Sequence, residues 1–111
     1  MTMEAYVKSV LDRHPEFVSE INGIVSNEYA AQIEATRAEF SNRVEKARKN
    51  WIRNRGEEAY LLNEESIRAY IENTTPRRVY IKSVVLDGDD FEIEIDLLAG
   101  TWNMAPVMPK E

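Results

Sequence analysis

The chain has 111 residues, a formal net charge of −6 and no cysteine. That length supports one domain with a modest core, and hydrophobic residues at 43% against charged residues at 31% describe a folded chain and not a disordered one. Without cysteine there is no thiol catalysis, no thiolate metal centre and no disulfide framework, which points to a reducing compartment and a cytoplasmic location.

Residues 3–11 read as a short helix. Thr2 is placed to cap it, Glu4 suits its first turn, and Ala5, Val7, Val10 and Leu11 supply an apolar side. Asp12-Arg13-His14 then turns the chain, and Pro15 fits the first position of a second helix. From Pro15 to Arg55 there is no proline. Val25, Tyr29, Ile33, Thr36, Phe40, Val44, Ala47 and Trp51 recur every three or four residues as one helical stripe. Phe17 and Ile24 fall off that stripe. This predicts a bend or interruption between Asn22-Gly23 and Asn27, with Ser26 or Asn27 capping the longer part. An unbroken helix of about 40 residues would be about 60 Å long. Such a helix needs a partner or the rest of the chain laid along it.

Arg55-Gly56 ends the long helix, and Glu57 to Leu62 reads as a helical turn or a continuation. A shorter third helix is predicted from an Asn63 cap. Glu64 and Glu65 fill its first turn, Ile67, Tyr70 and Ile71 form its face, and Asn73-Thr74-Thr75-Pro76 stops it. Val79 to Leu86 and Phe91 to Leu98 then form an antiparallel β-hairpin around Asp87-Gly88-Asp89-Asp90. A four-residue loop pairs Leu86 with Phe91, Val84 with Ile93, Lys82 with Ile95 and Tyr80 with Leu97. Tyr80, Val84, Leu86, Phe91, Ile93, Ile95 and Leu97 then share the core face. The other face holds Val79, Ile81, Ser83, Val85 and Leu98 with Glu92, Glu94 and Asp96. A two-residue turn at Asp87-Gly88 shifts this pairing. Residues 99–111 read as an irregular tail, docked through Trp102 or Met104. The predicted architecture is therefore α+β: two N-terminal helices with the second long, a shorter third helix, an antiparallel β-hairpin and an irregular C-terminal tail. Residues 1–98 form the single domain.

The opening residues lack the basic stretch and apolar run of a signal peptide. No apolar run approaches the roughly 20 residues that span a bilayer, so no membrane partner is expected. His14 is the only histidine, which excludes zinc sites built on several histidines. The loop carboxylates at 87–90 offer hard oxygen ligands but not calcium-loop spacing, so they read as a solvated turn and no metal or cofactor is expected. No glycine-rich phosphate loop, serine elbow or dinucleotide fingerprint is present. No catalytic residue is therefore nominated, and the expected function is non-enzymatic.

Charge is unevenly distributed. Arg43, Lys46, Arg48, Lys49, Arg53 and Arg55 stand against the single Glu45 over residues 43–55, while Asp87, Asp89, Asp90, Glu92, Glu94 and Asp96 fill residues 87–96 with no basic residue. The acidic hairpin, with Ile81, is the expected binding surface for a protein partner with a basic surface. The chain would act as an inhibitor or adaptor that presents carboxylates where phosphates would lie. The over-long stripe suggests a homodimer. The basic helix gives a nucleic-acid-associated alternative, though the net charge disfavours it. A structural subunit of a larger homo-oligomeric assembly is a third reading.

Overall fold

A computed structural model describes residues 2–107, so the part of the expected tail at 108–111 lies outside the described residues. The chain forms α1 (Met3–Asp12), α2 (Pro15–Glu28), α3 (Ala30–Arg55), α4 (Glu57–Thr74), β1 (Arg78–Leu86), β2 (Asp89–Asp96) and β3 (Thr101–Pro106). Four helices thus precede a three-stranded open antiparallel sheet in the order β1-β2-β3. This corrects the predicted three helices, hairpin and irregular tail.

The Thr2 hydroxyl accepts from the Ala5 N–H at 3.1 Å and caps α1, and Pro15 opens α2. The chain bends at Tyr29 and not between Asn22 and Asn27, and neither Ser26 nor Asn27 caps α3. Packing explains the shift. Ile21 and Val25 of α2 are buried beneath the sheet, so helix continuing through Gly23 is rewarded by burial that outweighs the glycine's poor propensity. The 26-residue α3 is about 39 Å long. It ends at Gly56, whose φ of 92° and ψ of 161° belong to a region nearly closed to other residues. One residue later α4 begins at Glu57, six residues before the predicted Asn63 cap. The Asn63 side chain instead donates to the Ala59 carbonyl at 2.8 Å. Glu57 and Glu58 suit the new first turn, and Tyr60 is buried against α3.

The β1–β2 turn contains two residues, and Asp87 has a φ of 52°. Val84 therefore faces Phe91 and Lys82 faces Ile93, while Ile81 is the extra residue of a bulge between Tyr80 and Lys82. The predicted pairing and faces are corrected accordingly. Tyr80, assigned to the core face, is 53% exposed, and Val79 and Ile81, assigned to the other face, pack against the core.

The third strand arises because the chain reverses at once after Asp96. The Asp96 carboxylate accepts from the N–H groups of Leu98 and Ala99, and Gly100 N–H donates to the Asp96 carbonyl at 2.8 Å. Trp102, Met104 and Pro106 then alternate toward the core, with Met104 buried. The Trp102 indole donates to Asn22 Oδ1 at 2.7 Å and meets Phe17 edge-on. Pro106 is tolerated because it ends an edge strand.

There are two apolar centres. Val10, Ile21 and Val25 close over Phe91, Ile93, Ile95, Leu97 and Met104, forming a head of α1 and α2 on one face of the sheet. Phe40, Tyr60 and Ile71 are buried separately along the seam between antiparallel α3 and α4. Arg37 joins the two units by donating to the carbonyls of Leu98 and Ala99, both at 2.9 Å. The molecule measures 57 × 32 × 26 Å with a radius of gyration of 18.6 Å, against about 13 Å for a compact domain of this length. The helical hairpin projects from the head and is covered on few sides.

Candidate interaction surfaces

The six hairpin carboxylates have two different fates. Three are bound within the fold. Asp87 accepts from His14 Nε2 at 2.9 Å and from Arg13 Nε and Nη2 at 2.9 and 2.7 Å. These contacts, His14 first and Arg13 next, hold its carboxyl below the ordinary value. Asp89 accepts from the Tyr6 hydroxyl, a bond that raises the phenol pKa above its ordinary value. Asp96 caps its turn and lies 3.3 Å from Arg77, which also bonds Glu72 at 2.8 Å.

The other three point outward. Strand alternation puts Asp90, Glu92 and Glu94 on the sheet face that no helix covers, and none of them makes an ion pair among the described residues. Val85, Ser83 and Tyr80 stand opposite them on β1. Ala105 and Asn103 stand opposite Glu92 and Glu94 on β3. Val85 is 63% exposed. Ile81, at the bulge, packs against the core edge and does not belong to this face.

The basic residues of α3 are mostly committed within the helical hairpin. Arg43 donates to Thr75 and Thr74 hydroxyls at 2.8 and 2.9 Å and reaches the Ile71 carbonyl at 3.5 Å, placing a cation on the C-terminus of α4. Arg48 pairs with Glu45 at 3.4 Å, Arg53 donates to Asn50 at 2.8 Å, and Arg55 lies 4.6 Å over the Trp51 ring. Lys46 and Lys49 make no ion pair among the described residues. The structure does not gather the six cations into one stripe.

Sequence reading overlooked a third surface. A groove of about 560 Å³ runs along the α3–α4 seam, floored by Ala47, Trp51, Ile67 and Ile71 and walled by Tyr70, with Arg43 and Lys46 on its α3 rim. Leu62 is 80% exposed and Tyr70 69%. The signal was available in the chain. At 3.6 residues per turn all six charges of α4 (Glu57, Glu58, Glu64, Glu65, Arg68, Glu72) fall within an arc of about 120°, and none lies on the face through Leu62, Ser66 and Tyr70.

Among the described residues no three His, Asp or Glu side chains are placed to hold a metal ion together, and no helix is long and apolar enough to cross a membrane. No family model, no curated protein and no solved structure matches the chain.

Proposed function

We propose that the chain is a non-enzymatic protein-binding module that presents the open face of its sheet to a basic protein surface, as an inhibitor or adaptor. One observation carries this reading: Asp90, Glu92 and Glu94 stand in a row on the uncovered face of the central strand, without ion-pair partners among the described residues, beside exposed Tyr80 and Val85. Like charges along one strand repel and favour an arriving cationic surface. An aromatic and an aliphatic side chain at the same place add contact area that charge alone lacks. The net charge of −6 assists encounter at a distance. A surface shaped to bind phosphates fits this row best, because carboxylates can occupy the same donors.

The nucleic-acid reading gains no support from the geometry, since Arg48 and Arg55 lie on the opposite side of α3 from Lys46, Lys49 and Arg53, and the six cations it needs form no single stripe. The test is capture of the tagged full chain from a lysate of its native host, with nuclease present, at about 150 mM salt. The expected result is one basic protein retained near 1:1 and released as salt is raised. Retention of no basic protein, or of one indifferent to salt, contradicts the proposal.

A further inference from the structure

The groove of the helical hairpin carries an inference independent of the basic-partner reading. We propose that the α3–α4 hairpin docks on a second copy of itself, with α3 of each copy lying against α4 of the other, so that a two-fold axis running along the hairpins generates a four-helix bundle.

The need for an occupant comes from burial. The groove exposes Trp51, Ile67 and Tyr70, and Leu62 projects almost wholly into solvent beside it on a helix face without charge. Helices covered on one side only are stable in water when the opposite face is polar, and this face of α4 carries no charge: Ser66, Asn63 and Asn73 are its polar residues, set among exposed Leu62 and Tyr70.

The charges choose the occupant. The α3 wall of the groove is cationic through Lys46, with Arg53, whose bond to the neutral Asn50 amide leaves its charge unpaired, on the same side of the helix, while Arg43 closes the end of the groove against Thr74 and Thr75. The complement is a helix whose apolar face is bordered by acid. In this chain α4 is that helix, with Glu58 and Glu65 beyond the edge of its uncharged arc. The same charges choose the arrangement. Placing α3 on α3 would oppose the cationic walls to each other, whereas placing α3 on α4 sets each cationic wall against an uncharged face with acid at its margin.

Access and size agree. The hairpin meets the head through Arg37 and Glu72, on the side opposite the groove, so the head leaves the groove open. The 18 residues of α4 run about 27 Å, and two helices side by side span about 20 Å. Such a face offers about 500 Å² per copy, and both copies together reach the roughly 1,000 Å² that a specific interface requires.

Sedimentation equilibrium of the full chain tests the pairing. The expected mass is about twice 12.9 kDa. Leu62→Glu and Tyr70→Glu each alter a side chain exposed in the single copy. Each should leave the circular dichroism spectrum unchanged and weaken the dimer roughly tenfold or more. The absence of native cysteine allows disulfide trapping. Since Arg43 meets Thr74, Arg53 and Leu62 lie at similar heights on the hairpin. A mixture of Arg53→Cys and Leu62→Cys proteins should therefore give a crosslinked heterodimer. A monomeric wild type, a dimer that ignores both glutamates, or crosslinking of Leu62→Cys to itself with none to Arg53→Cys overturns the proposal.

Discussion

Asp87 occupies a left-handed position in the β1–β2 turn while its carboxylate accepts from His14 and Arg13 on the loop between α1 and α2. Asn tolerates the same backbone, so Asp87→Asn keeps the turn and removes the charge. The Asp87 pKa is lowered in the folded state. Its stabilising contribution is therefore complete above the unfolded value, near 4, and is lost as pH falls through the folded value. Urea midpoints of wild type and Asp87→Asn should differ by a constant amount at neutral pH and converge below about pH 4; an undiminished gap in acid would refute the assignment. Gly100, at φ 74°, is a second sensitive position. A methyl group there would come within 2.8 Å of Arg37 Nη2 and disturb the bonds from Arg37 to Leu98 and Ala99. Gly100→Ala should cost about 1–3 kcal/mol, seen as a lower melting temperature, and should cost less in an Arg37→Ala background. Residues such as Thr2 and Pro15 were legible in the sequence because a cap and a first-position proline act within one turn of chain. The roles of Asp87, Asp96 and Arg37 were not, because their partners lie on other elements.

At the scale of elements, α3 and α4 have a seam of their own, apart from the core of the head. The two should open separately in hydrogen exchange. Phe40→Ala should lose protection along α4 while β2 keeps it. Phe91→Ala, at the centre of the head, should destabilise the fold by about 3–5 kcal/mol. Equal loss of protection in α4 and β2 for Phe40→Ala would show a single cooperative unit instead. The helical stripe from Val25 to Trp51 was readable because a 3.6-residue period repeats over many turns. The bend at Tyr29 was not, because no capping side chain marks it. β3 was hidden behind Gly100 and Pro106, and its alternation of Trp102, Met104 and Pro106 gains meaning only once β2 is in place. A period of two assigns faces only relative to a known turn, so the two-residue turn and the Ile81 bulge together altered the predicted pairing.

Across the whole molecule, the two candidate surfaces sit on different units. The acidic row lies on the sheet of the head, and the apolar groove lies along the projecting hairpin. The clustering of acid over residues 87–96 was plain in the sequence, but which carboxylates face solvent required the register and the contacts of Tyr6, Arg13 and Arg77. Two copies joined by their hairpins would carry two acidic faces and bind a multivalent basic partner more tightly than one. The most direct test of the basic-partner claim is a side-by-side capture from host lysate. The bait proteins are wild type and a variant carrying Asp90→Asn, Glu92→Gln and Glu94→Gln, and retained basic protein is quantified by mass spectrometry. The account predicts a partner held by wild type and lost from the variant, whose melting temperature should match or exceed that of wild type once the repulsion is relieved. Equal retention by both proteins would contradict it.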